Sequence, residues 1–133
     1  MDILIYGCGR LTNMLLPPLL QEGHRIAVLG PDPDCLGKLP DVPQIEAILT
    51  PEPLMQDYLQ QGGVSDTDVF LALSEDDHSN LLVAQIAQHI FNVPSVICHL
   101  DSPHLQNIYR ELGLRVVGPS GDLLQHIQQG IGV

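Results

Sequence analysis

Basic residues are scarce in this chain. Five Lys and Arg stand against 16 Asp and Glu, leaving a formal net charge of −11. A nucleic-acid backbone or an anionic lipid surface would be repelled rather than gathered, so neither is expected as a partner. Long apolar runs are missing too. None reaches the roughly 18 residues that a membrane-spanning helix needs, so no direct membrane insertion is expected. The N-terminus begins in a strand and carries no basic leader, which makes the cytoplasm the expected compartment. Cysteine is limited to Cys8, Cys35 and Cys98, an odd number without C-x-x-C spacing. Reduced thiols in a reducing compartment are the expectation. A metal site from Cys8, Cys98 and His99 is disfavoured for want of ligand spacing. Catalytic signals are absent as well: no nucleophile–base pair at recognisable spacing, and no Lys near a strand end. His24, His78, His89, His104 and His126 are scattered, and solvated faces are expected for them.

What is present is apolar and regular. Apolar residues make up 44% and charged residues 16% of 133 positions, which suits a folded domain with one core spanning residues 1–133. "DILIYG" at 2–7 is a nearly continuous apolar run, the pattern of a strand buried in a parallel sheet. Residues 10–22 follow with helical spacing, stopped at Gly23, and Pro17 and Pro18 predict a kink or loosened turn near Asn13–Met14. "HRIAVLG" at 24–30 is a second strand, and the Pro- and Gly-rich stretch after it allows one short helical turn. "QIEAILT" at 44–50 is a third strand, followed by a helix capped by Thr50 with Pro51 near its first position. "TDVFLALS" at 67–74 is a fourth strand. Ser74 to Asp77 reads as a capping box opening a helix over about 75–91, with Leu82, Ile86 and Ile90 on one side. "SVICHL" at 95–100 is a fifth strand, and Ser102-Pro103 starts a helix with Leu105, Ile108 and Leu112 in register. "LRVVG" at 114–118 is a sixth strand, before a short helix at 121–130. Strands alternating with helices through short connections predict right-handed crossovers onto a parallel sheet. The expected fold is therefore α/β, a doubly wound six-stranded sheet of order 3-2-1-4-5-6.

In that fold a ligand crevice opens beyond the carboxyl ends of the strands, where strand order reverses. Gly7 suits the tight strand-to-helix turn. Gly9 lets the backbone approach a pyrophosphate, and the amides of Arg10, Leu11 and Thr12 then face the phosphate at a helix N-terminus. Thr12 stands where G-x-G-x-x-G has its third glycine, and its hydroxyl offers a further phosphate donor. The acidic residue usual at the end of the second strand is replaced by Gly30. Asp32 and Asp34 follow, either turned inward or as solvated turn residues. Ser74 reads first as a helix cap and second as a crevice residue. Taken alone, Gly-x-Gly is also compatible with a mere βα turn.

"MDILIYGCGRLTNMLLPPLLQEGHRIAVLG" resembles the opening of the TrkA-N domain, also called the N-lobe of the regulator of potassium conductance. "DTDVFLALSEDDHSNLLVAQIAQHIFNVPSVICHLDSPHLQNIYRELGLRVVGPS" resembles the rest of it more closely. The resemblance implies a Rossmann-type dimer that binds NAD(H), ATP, ADP or AMP and gates a membrane potassium transporter or channel from the cytoplasm. It carries ligand contacts to Gly7, Gly9, Arg10, Thr12, Ala72 to Glu75 (with Leu73 and Ser74) and Asn80; Cys8, Leu11, Gly30, Asp32 and His99 on the same loops complete the expected contacts, with no catalytic residue. Three departures accompany it. Gly30 matches the family's acid after the second strand, "LTPEP" replaces a Gly-Asp turn after the third, and His99 matches an arginine able to reach phosphates. Two other readings stay open: a small NAD(P)-dependent oxidoreductase subunit, and an interaction domain whose nucleotide site has decayed.

Overall fold

The computed structural model describes residues 1–49 and 66–118. Six parallel strands form one sheet in the order β3-β2-β1-β4-β5-β6. They are β1 (Asp2–Tyr6), β2 (Arg25–Gly30), β3 (Ile45–Leu49), β4 (Val69–Ala72), β5 (Ser95–His99) and β6 (Arg115–Val117). The helices between them are α1 (Arg10–Gln21), α2 (Pro33–Gly37), α3 (Asp77–Gln85) with a π-helical continuation (Ile86–Ile90), and α4 (Pro103–Glu111). The expected sheet and strand order are thus observed. The helix expected after Thr50 and the one expected at 121–130 lie outside the described residues.

The central strands are apolar throughout because both faces of the sheet are covered. Ile3 and Ile5 of β1 point into a core with Leu15, Leu16 and Leu19 of α1, Val28, Leu36 and Leu71. Leu4 and Tyr6 point to the other face, against Phe70, Leu81, Val83, Ala84 and Ala87. Alternation along one short strand therefore feeds two cores. Helix α1 runs through Pro17 and Pro18. The carbonyls those prolines leave without a backbone donor belong to Asn13 and Met14, which lie on the exposed side of the helix. The face of α3 differs from expectation. Asn80, Leu81, Val83, Ala84 and Ala87 are buried, whereas Leu82 and Ile90 are exposed. No residue of α4 is buried, and Leu112 just beyond it is 73% exposed. Among the described residues no helix is long and apolar enough to cross a membrane.

Candidate functional site

Register brings the ends of β1, β2, β4 and β5 to one edge. Tyr6 pairs with Leu29 on one side and Ala72 on the other, and Ala72 pairs with Cys98. The Gly7 amide donates to the Leu29 carbonyl (2.8 Å), and the Leu73 amide donates to the Tyr6 carbonyl (2.8 Å). The chain then turns abruptly. Gly7 has φ +112°, and a Cβ there would lie 2.6 Å from the Ser74 amide nitrogen. Only glycine satisfies both constraints.

A cleft of about 690 Å³ opens at this edge, a volume typical of small-molecule sites. Of the expected contacts, Gly7, Cys8, Gly9, Arg10, Leu11, Asp32, Leu73, Ser74, Glu75 and His99 line it. Tyr6, Pro31, Asp76, Ser79 and Asp101 line it as well and were not among the expected residues. Their signal was positional: Tyr6 directly precedes the glycine turn, and Ser79 lies one turn into the helix that follows β4.

Thr12, Gly30 and Asn80 do not line the cleft. Thr12 is fully buried, and its hydroxyl donates to the Gly7 carbonyl (2.6 Å). It therefore braces the glycine turn from behind and is not the phosphate donor the sequence suggested. Gly30 sits behind Cys8: a Cβ at Gly30 would come within 3.2 Å of the Cys8 Cβ. Asn80, also fully buried, is a brace. Its Oδ1 accepts from the Ser74 amide (2.9 Å) and hydroxyl (2.7 Å), and its Nδ2 donates to the carbonyls of Ser74 and His99 (both 2.8 Å). One side chain thereby ties the end of β4 to the end of β5. Asp77 acts similarly, its carboxylate accepting from the amides of Asp101 (2.9 Å) and Ser102 (3.0 Å).

Helix capping separates α1 from the others. Asp32 caps α2 by accepting from the Asp34 amide, Asp76 caps α3 by accepting from Ser79, and Ser102 caps α4 by accepting from Leu105. The cap of α3 is thus Asp76, correcting the assignment to Ser74. Helix α1 starts at Gly9, which has no side chain to cap it, and no acid follows in its first turn. Its leading amides carry the positive end of the helix dipole toward the cleft. Gly9 keeps that approach open, with nothing nearer a Cβ there than the Glu75 carboxylate at 4.0 Å.

His99 supplies the second unpaired group. It is 4% exposed, and neither ring nitrogen has a hydrogen-bond partner. Asp101 Oδ1 lies 3.6 Å from Nε2, within ion-pair range but too far for a hydrogen bond. Of the other histidines, His24 departs from expectation, being partly buried with Nε2 at 3.1 Å from Glu22.

Charge around the cleft is mostly acidic, with Asp32, Glu75, Asp76 and Asp101 against Arg10. The Ser79 hydroxyl, bonded to Asp76, holds that carboxyl below its ordinary value. Burial pushes the Tyr6 phenol upward, opposed by Ser79 and reinforced by Asp76. The thiols also differ from expectation. Cys8 and Cys35 are joined as a disulfide, and Cys98 alone is free and buried.

Comparison with known proteins adds a common pattern. Residues 3–119 match the TrkA-N domain. The Trk system potassium uptake protein TrkA of Streptomyces coelicolor is 32% identical over 117 residues, covering 88% of this chain and 52% of that protein. The chain therefore spans about half the length of this relative. The Kef C-terminal domain of Shewanella denitrificans in its AMP-bound form superposes with a TM-score of 0.76 at 16% identity, covering 92% of this chain and 74% of that one. The GsuK channel bound to NAD superposes with a TM-score of 0.71 at 20% identity, covering 87% of this chain and 21% of that one.

Proposed function

The chain belongs to the TrkA-N domain family, and from that premise we propose that it is a regulatory nucleotide-binding module of a potassium transport system, without catalysis of its own. One observation carries the reading: the start of α1, uncapped by any side chain, opens on a cleft that Arg10 and His99 also line. The leading amides of that helix are donors without an acceptor, and a phosphate group is the acceptor they fit. The ligand is an adenine nucleotide of the NAD(H), AMP, ADP or ATP class. The amides of Arg10 and Leu11 and the Arg10 guanidinium hold its phosphate, His99 donates to the same group, and Asp32 takes the sugar hydroxyls in place of the acid missing at Gly30. Charge favours NAD(H) and AMP over ATP, because among the described residues four acids line the cleft against one arginine.

Names of relatives support the wider role, since they are Trk potassium uptake proteins and a channel bound to NAD. In this reading a membrane potassium transporter subunit is the partner, and the module works on the cytoplasmic side. Exposed Ile108 and Leu112 support pairing of two copies. Ligand binding then shifts the balance between two arrangements of that pair by its difference in affinity for them.

The test is thermal unfolding of the chain with NAD⁺, NADH, AMP, ADP and ATP in turn. A ligand at 100 times its dissociation constant adds about 2.7 kcal/mol. The expected result is stabilisation by NAD(H) and AMP, less by ATP. Stabilisation by none of the five overturns the reading, and NADH oxidation with a carbonyl substrate would replace it with an enzymatic one.

A further inference from the structure

Cys8 and Cys35 are 27 positions apart in sequence, yet their Cα atoms lie 6.1 Å apart and their sulfurs are bonded. That Cα separation is one a disulfide spans without backbone movement. Its place matters more than its presence. Cys8 is the middle residue of the Gly7-Cys8-Gly9 turn that forms the cradle, and Cys35 belongs to α2, whose cap Asp32 lines the cleft. The bond therefore ties the first βα corner to the second. Gly30 makes the room for it, since any side chain there would press on the Cys8 Cβ. The position that holds a carboxylate in the related pattern is here given over to sulfur.

Both cysteines are partly exposed, so solvent-borne thiols reach the bond. The third cysteine stays out of the exchange. Burial, with Asp77 adding to it, pushes the Cys98 thiol up to about 12, leaving almost no thiolate.

We propose that Cys8–Cys35 is a reversible redox modification site that sets the cleft's affinity for its nucleotide, the bonded form binding tightly and the reduced form weakly. The proposal rests on the nucleotide reading above. The open cleft exists with the bond in place, and the bond holds the cradle to α2. After reduction the two sulfurs must separate to nonbonded contact. The Gly7-Cys8-Gly9 turn is then no longer tied to α2, and its amides lose that restraint. An ordered cradle is lost, and with it the preorganisation that favours binding.

Reduction follows ordinary exchange with a small-molecule dithiol. Its thiolate attacks one sulfur, the Sγ–Sγ bond breaks, and a mixed disulfide forms. The reagent's second thiol then displaces the remaining cysteine. Two electrons and two protons pass to Cys8 and Cys35, and the reagent leaves as its cyclic disulfide. An oxidised small-molecule dithiol reverses the step.

The experiment is calorimetric titration of the full chain with NAD⁺ and with AMP, before and after dithiothreitol. Cysteines are counted by alkylation and mass spectrometry, and folding is checked by circular dichroism. Reduction is expected to weaken binding by about tenfold, and removal of the reductant with reoxidation to restore it. Cys35→Ser is expected to bind at the reduced level whatever the redox state. Equal affinity of bonded and reduced protein overturns the proposal while leaving the nucleotide reading intact. So does a chain in which Cys8 and Cys35 stay alkylatable after oxidation. Absence of binding in both states overturns the two together.

Discussion

At the residue scale, two buried polar side chains do opposite things. Asn80 has every polar atom engaged, and it joins the Ser74 corner to the His99 carbonyl. Asn80→Ala takes this partner from the Ser74 amide and hydroxyl and from the Ser74 and His99 carbonyls. It should cost about 3 kcal/mol, read as a lowered midpoint in urea unfolding. His99 makes no hydrogen bond at either nitrogen, although Asp101 Oδ1 stands 3.6 Å from Nε2. His99→Ala therefore removes no internal hydrogen bond, and its effect should fall on the ligand. Affinity for NAD⁺ or AMP should drop about tenfold by calorimetry, the scale of one hydrogen bond to a charged group. A loss of stability without loss of affinity would make His99 a packing residue instead. Gly7 is a third kind of constraint, because its positive φ and the Ser74 backbone exclude any side chain.

At the element scale, the start of each helix settles what it does. Asp76 caps α3 through Ser79, and that bond lowers its proton affinity in the folded state. A depressed folded pKa contributes stability above the unfolded value of 3.8. That contribution disappears as pH falls through the folded value. Acid unfolding should therefore steepen below the ordinary aspartate range, and Asp76→Asn should flatten that limb. Thermal melts across acidic pH check it. Helix α1 lacks such a cap, so its dipole is left for a ligand. Helix α4 keeps its cap and packs half-buried Leu105 and Tyr109 against the core, which leaves Ile108 and Leu112 exposed.

At the scale of the whole molecule, charge opposes the ligand class. A net charge of −11 repels a nucleotide at distance, and among the described residues lining the cleft Arg10 is the one Lys or Arg. Salt screens the long-range part over about 10 Å at 0.1 M. Raising ionic strength from low to physiological should therefore speed association of ATP more than that of AMP. Stopped-flow rates at several salt concentrations measure this, and an ATP rate that falls with salt would contradict it.

The sheet was legible from local pattern. Continuous apolar runs such as "DILIY" and "TDVFLA", each followed by a helix, permit few arrangements other than a parallel doubly wound sheet, and the order is the one expected. The glycine turn was legible too, because Gly7 answers a backbone constraint set within a few residues. Tertiary structure decided the rest. Thr12 turns its hydroxyl inward to Gly7, Asp76 rather than Ser74 caps α3, Leu82 and Ile90 face outward, and Cys8 meets Cys35 over Gly30. Each depends on which distant strand or helix arrives beside the residue. Local spacing carries no record of such neighbours, because side-chain direction at a helix start or strand end is settled only when the sheet closes.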